Sequence, residues 1–312
     1  MICIQLSGRL GNQMFQYSYA RYLKEITGQD IYIDDRYVFK AGPKKDGWEN
    51  SLIYFNTSFS SFNQNESLFK TKMNLIQKIL FYIDVKSQKK YLGNIQKLNK
   101  YELSRIKLLE KFNLLFLWQG YYKFNYNPKK NIFLRGNYES KDYFDKIKPI
   151  LQKEFEPINE IDQCNLDLLS NIQQSNSVCI TIRRGDYYTE NNIFGSTFQV
   201  CSPKYYENAI KKMEVLVKDA KFFVFSDDIQ WCKDNLKFPK DTMFESGNDT
   251  VDQKLKLMFE CKNFIISNST FSWWAQYLSK NSNKIVISPS KWFNSDFNSA
   301  LIDYENWVFL DE

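Results

Sequence analysis

Three short stretches hold residue types suited to a charged ligand, and each follows an apolar run that reads as a strand. The first is SGRLGNQ, Ser7 to Gln13. Gly8 and Gly11 let a ligand approach the backbone, and the helical pattern that follows offers its N-terminus to an anion. A plain turn would use the same residues. The second is IRRGDYY, in which Arg183 and Arg184 stand beside Asp186. Neighbouring residues on a strand face opposite ways, so both guanidinium groups can line one pocket only if the strand has ended. One planar fork then suits a phosphate while the other pairs with a carboxylate such as Asp186; the alternative is a purely structural salt bridge. The third is IISNSTFSWWAQYL, residues 265–278, where Asn268, Ser269 and Thr270 precede a helix opening at Phe271. Hydroxyls and backbone N–H groups at that point make a phosphate seat, although capping alone also accounts for them.

Composition removes other chemistries. The chain has no histidine, which excludes histidine bases, Ser-His triads and His-metal sites, leaving carboxylates as proton acceptors. Asp186 is the first candidate, followed by Asp227 and Asp228 at the end of the run 221–226. Neither G-x-G-x-x-G nor G-x-x-x-x-G-K-[ST] occurs, and no D-x-D is flanked as a metal site, so neither a resident cofactor nor a metal is expected. The six cysteines are scattered, as in a reduced intracellular protein. With no signal-like N-terminus and no membrane-length apolar run, the expected location is cytoplasmic. Net charge of +6 mildly favours an anionic ligand or surface, but the basic residues are dispersed among acids, so no nucleic-acid partner is expected.

The elements that must position these residues alternate. Apolar runs at 2–6 and 31–33 flank a helical pattern, the opening of a βαβ unit. Residues 131–135 read as a strand and 140–155 as a helix; 156–162, EPINEID, reads as a linker. Strands at 178–182, 221–226, 263–267 and 284–287 then alternate with helices at 203–218, 228–236, 250–262 and 271–280. The expectation is two α/β domains, 1–156 and 157–312, with ligands at strand carboxyl ends and in the cleft between them. Residues 65–112 form a lysine-rich helical insert whose Phe69, Met73, Ile76, Leu80 and Ile83 repeat at helical spacing. Such a stripe either packs on the domain or rests on an anionic membrane.

With these residues in view, the chain resembles the α-1,2-fucosyltransferases of glycosyltransferase family 11. GRLGNQMFQYSYARYL (8–23) matches that family's opening block, and IRRGDY (182–187) matches H-x-R-R-G-D-Y except at its first position. NYESKDYFDKIKPIL (137–151), FVFSDDIQWCKDNL (223–236) and LMFECKNFIISNSTFSWWAQYL (257–278) resemble the remaining blocks, in order along the whole chain. The resemblance implies a GT-B-like fold of two Rossmann-like domains facing a cleft, the C-terminal one holding the donor and the N-terminal one the acceptor. It implies inverting, metal-independent transfer of fucose from GDP-β-L-fucose to a galactoside hydroxyl, in the making of a surface polysaccharide such as an O-antigen. By the same resemblance Arg183 binds the β-phosphate with Ser269, Thr270 and Asn12, and Arg9 joins from across the cleft. For the base, the absence of histidine leaves Asp186, whose other role is pairing with Arg184, or a loose transition state needing little base. Gly8, Gly11, Gln13, Arg184, Asp227 and Asn268 complete the expected site.

The chain departs from the pattern twice. Thr181 stands where the family carries histidine, and Lys254 where it carries an acidic residue; in related fucosyltransferases these hold the guanine base. Lysine cannot accept the guanine N1–H and N2–H bonds. Asp252 compensates only if its helix is shifted. Other nucleotide sugars, linked to UDP or dTDP, therefore stay open beside GDP-fucose, as does a non-catalytic carbohydrate- or nucleotide-binding protein. Residues 36–64 and 188–202 read as acceptor walls.

Overall fold

A computed structural model describes residues 1–41, 48–61, 67–91, 94–185, 188, 195–295, 297, 299–302 and 304–311, the side chains of 39–41, 61 and 195 excepted. The chain divides into two compact units, Met1–Glu154 and Phe155–Glu312.

The first unit carries strands β1 (Ile2–Gln5), β2 (Ile31–Asp34), β3 (Ser60–Ser61), β4 (Leu114–Leu117) and β5 (Ile132–Gly136). They pair in the order β3-β2-β1-β5-β4, every pair parallel. Its helices are α1 (Leu10–Thr27), α2 (Arg36–Ala41), α3 (Leu68–Lys72), α4 (Leu75–Gln88), α5 (Ile95–Glu110) and α6 (Lys148–Glu154). A strand read as continuous apolar sequence is buried on both faces, as parallel sheets require; β4 and β5 are buried throughout. The helix expected over 140–155 is instead two 3₁₀ turns, Lys141–Tyr143 and Asp145–Ile147, followed by α6. Phe144, at φ −146° and ψ 3°, separates the two turns, and Pro149 fits only the first turn of a helix.

The lysine-rich segment forms α3, α4 and α5, but the apolar stripe does not run through it. Phe69 and Met73 are buried, while α4 restarts at Asn74, whose side chain caps it in a reciprocal bond with Gln77. That restart resets the helical phase, and Ile76 and Ile83 end up exposed. Of the stripe on α4 only Leu80 packs inward, beside Phe81, and the rest of what α4 buries is polar. Asp84 approaches Arg105 and Arg135 at 3.3 Å each, and Gln77 donates to the Phe112 carbonyl at 2.8 Å. Beside them Glu102 accepts the Trp118 N–H and the Gln88 amide, each at 3.2 Å. Burial pushes the Glu102 carboxyl up to about 8, against the Trp118 bond that favours its charge.

The second unit carries β6 (Asn176–Ile182), β7 (Ala220–Ser226), β8 (Met243–Phe244), β9 (Asn263–Ile265), β10 (Val286–Pro289) and β11 (Val308–Leu310). Their order is β11-β10-β9-β6-β7-β8, again parallel throughout. The helices are α7 (Leu166–Gln174), α8 (Gly195–Phe198), α9 (Pro203–Leu216), α10 (Ile229–Asn235), α11 (Val251–Glu260) and α12 (Thr270–Leu278). Val178, Ile180 and Ile182 of β6 pack with Tyr206, Met213, Phe222 and Val224 in the core. Two Rossmann-like α/β units are thus the architecture. All six cysteines are unbridged, five of them buried. Among the described residues no helix is long and apolar enough to cross a membrane.

Candidate active site

In the second unit β6 lies between β9 and β7, with β8 next at the edge. Because all run parallel, their carboxyl ends share one edge of the sheet, where an open α/β sheet binds ligands. Arg183 and Arg184 leave β6, Ser267 to Thr270 leave β9, Asp227 and Asp228 leave β7, and Glu245 leaves β8.

The two arginines lie just past the end of β6 and find different partners. Arg183 pairs with Asp227, Nη1 to Oδ2 2.6 Å, and remains about one-fifth exposed. The other Asp227 oxygen accepts the Arg184 backbone N–H at 2.8 Å. The Arg184 guanidinium lies between the rings of Trp231 and Tyr188, 3.6 and 3.9 Å from their centroids. Two π faces thus flank the cation. Asp227 therefore helps fix this loop; Asp186, expected to pair with Arg184, lies outside the described residues. Asp228, the other base candidate, caps α10 by accepting the Trp231 N–H at 3.0 Å. Gly185 permits the arrangement, since a Cβ there would come within 2.5 Å of Asp227 Oδ2.

The loop after β9 is held from beneath. Thr181, in the interior of β6 and 3% exposed, accepts the Ser267 N–H on its hydroxyl at 3.0 Å. Ser267 and Ser272 share a hydroxyl bond of 2.9 Å, and the Asn268 amide donates to the carbonyls of Phe198 and Trp292 at 2.9 and 3.0 Å. Asn268 is buried with both amide hydrogens committed, so it braces the loop where ligand contact was expected. Thr181, expected at the donor, likewise supports the loop. Ser269 and Thr270 stay partly exposed at the start of α12, and no side-chain bond from Ser269 caps that helix.

Lys254 lies 2.8 Å from Glu245, whose side chain is fully buried, and its ammonium also donates to the Ser226 carbonyl at 3.4 Å. The second Glu245 oxygen accepts the Gly247 N–H at 2.9 Å. Asp252 is 1% exposed in a regular first turn of α11, and two residues along a helix place it about 200° from Lys254. Glu245 escaped the sequence reading because a two-residue edge strand leaves no period to detect; its one signal is a carboxylate between the apolar pair Met243–Phe244 and Gly247.

In the first unit, Gly8 adopts φ +72°, and a Cβ there would meet Asn12 Nδ2 at 2.7 Å. Arg9 takes the N-cap position of α1, its guanidinium carbon 5.8 Å from the Trp48 ring centroid. Gly11 and Asn12 follow in the first turn. Gln13 is fully buried: its amide donates to the Gly8 and Glu49 carbonyls at 2.9 and 2.7 Å and accepts the Ser51 N–H at 3.0 Å. Gln16 does the same for Ser7. Gln13, expected to contact the donor, is instead part of the loop's frame, its donors used up.

Known proteins of matching sequence are sugar transferases. The O-antigen biosynthesis glycosyltransferase WbnK of Escherichia coli is 28% identical over 98% of this chain and 99% of its own. An alpha-1,2-colitosyltransferase of the same species is 29% identical over 100% and 99%. The galactoside 2-alpha-L-fucosyltransferase Sec1 of Mus musculus is 24% identical over 61% and 56%. Among solved structures, the fucosyltransferase NodZ from Bradyrhizobium aligns over 88% of this chain and 92% of that one, at 14% identity and TM-score 0.48. The family model for glycosyl transferase family 11 matches residues 1–311, and the chain belongs to that family.

Proposed function

We propose that the protein is an inverting α-1,2-fucosyltransferase that moves L-fucose from GDP-β-L-fucose to a galactoside hydroxyl during assembly of a surface polysaccharide. The observation that carries the reading is the adjacency, on neighbouring strands β6 and β9, of Arg183 and the Ser269–Thr270 start of α12. A diphosphate at that edge would find a guanidinium fork on one side and hydroxyls at a helix N-terminus on the other. Both bear on the oxygens where charge grows as the sugar–phosphate bond breaks. The acceptor oxygen forms its bond to the anomeric carbon from the opposite face, the diphosphate leaves with the electron pair of the broken bond, and the acceptor's proton passes to a carboxylate. Asp186 is the base proposed from the sequence.

The full-length similarity to an alpha-1,2-colitosyltransferase favours a second reading, in which colitose is the sugar moved. Melting curves with GDP, UDP and dTDP, followed by transfer assays with fucosyl and colitosyl donors, test the proposal. GDP should raise Tm, UDP and dTDP should not, and Arg183→Ala should lower transfer by about 10²-fold or more. Protection by UDP or dTDP alone refutes the GDP donor while leaving a transferase. Transfer undiminished in Arg183→Ala refutes the site.

A further inference from the structure

We propose that the outer face of α4 is a docking surface for an anionic phospholipid bilayer, an inference independent of the donor's identity. A surface helix ordinarily turns apolar residues inward and polar ones to water; on α4 this is largely inverted, although Leu80 and Phe81 still pack on the core. Gln77, Asp84 and Gln88 are buried, while Leu75, Ile76, Ile79, Tyr82 and Ile83 are 73, 53, 51, 67 and 46% exposed. At 100° per residue those five occupy an arc of about 120°, and the buried polar residues lie opposite. The inverted face is firmly mounted, because Asp84 reaches Arg105 and Arg135, and Gln88 accepts from the Trp118 indole.

Charge identifies the occupant. Between residues 67 and 112 the acidic side chains are Asp84, Glu102 and Glu110, and all three are buried. The exposed charge of the segment is therefore wholly positive. Lys86 falls inside the apolar arc, Lys78 flanks it, and Lys89 and Lys90 extend it past the helix end. A second copy docking face to face would oppose lysine to lysine. An interface of acidic headgroups over acyl chains satisfies both features at once: lysines reach phosphate while isoleucines and the tyrosine body sink below it.

Co-sedimentation of the full chain with phosphatidylcholine vesicles, and with vesicles one-third phosphatidylglycerol, tests this. Binding should be at least ten-fold stronger to the anionic vesicles at 0.1 M salt and should weaken at 0.5 M. Ile79→Glu combined with Ile83→Glu should reduce it at least ten-fold with Tm unchanged, because both side chains are exposed. Lys78→Glu with Lys86→Glu should erase the preference for anionic lipid. Wild-type protein left in the supernatant, equal binding to both vesicles, or binding unaffected by the glutamates overturns the proposal. So does a dimer in sedimentation velocity that Ile79→Glu dissociates without any vesicle binding.

Discussion

Arg183 Nη1 lies 2.6 Å from Asp227 Oδ2, and through its other oxygen Asp227 also takes the next residue's backbone N–H. One carboxylate thus orients the guanidinium and pins the chain that carries it. The pair is partly solvated, at 21 and 26% exposure, so it adds at most about 1 kcal/mol to stability. Its value lies in holding the fork in one direction. Asp227→Asn keeps an oxygen for the Arg184 N–H but loses the charge. Transfer should fall about 10- to 100-fold while Tm moves by no more than about 3 °C. A large drop in Tm with unchanged kcat/KM per folded molecule would show that the pair serves the fold instead.

Gly185 reports on the same geometry without altering a charged group. An alanine Cβ would come within 2.5 Å of Asp227 Oδ2 and 3.3 Å of Arg183 Cζ, so the carboxylate must shift from its present place against the guanidinium. The expected loss in Gly185→Ala is comparable to that of Asp227→Asn, and the two together should be less than additive. Full additivity in the double variant would separate the glycine from the ion pair.

Gln13 should behave as frame. Gln13→Ala removes three hydrogen bonds and leaves the Ser51 N–H buried without its acceptor, for about 2–3 kcal/mol of destabilisation. Urea denaturation measures it. A variant as stable as the wild type, with KM for the donor raised, would return Gln13 to the ligand.

The end of β6 was legible in the sequence because a buried parallel strand is a continuous apolar run and its last residue, Ile182, meets two arginines. Whether alternation separated those arginines turned on where the strand stopped, and it stops at Ile182, before both. Which partner each would find was not legible: Trp231 and Tyr188 are 47 and 4 residues from Arg184, and an aromatic face leaves no charge pattern to read. The same holds for Asn268 and Gln13. Their types suited a ligand equally well, and only burial with saturated amides shows them as braces. Helical spacing failed over 69–83 because period alone cannot register the phase break at Asn74.

The Glu102 carboxyl gives the first unit a pH dependence of definite sign. Its ordinary value is 4.5 and burial raises it to about 8, so between these values the folded chain holds a proton the unfolded chain has lost. Stability is full below about pH 4.5 and declines as pH rises towards 8. Glu139, also raised to about 8 by burial, acts in the same window. Glu102→Gln still accepts the Trp118 N–H and cannot ionise. It should match the wild type near pH 4.5 and exceed it by about 4 kcal/mol at pH 8. Parallel stability curves for the two proteins would contradict this.

Lys254 stands where the sequence resemblance leads one to expect an acidic residue, yet such a residue cannot simply be put there. Its ammonium neutralises Glu245, a carboxylate with no exposed surface that follows β8. Lys254→Asp would set two carboxyl groups a few ångströms apart, and one would have to stay protonated. The cost is about 3 kcal/mol at neutral pH, with no gain in GDP affinity. Reversing the pair, Lys254→Asp with Glu245→Lys, restores opposite charges and should recover most of that loss. A double-mutant cycle by urea denaturation reads the coupling directly. If the single variant is as stable as the wild type and binds GDP more tightly, Glu245 does not depend on Lys254, and the two are not a linked pair.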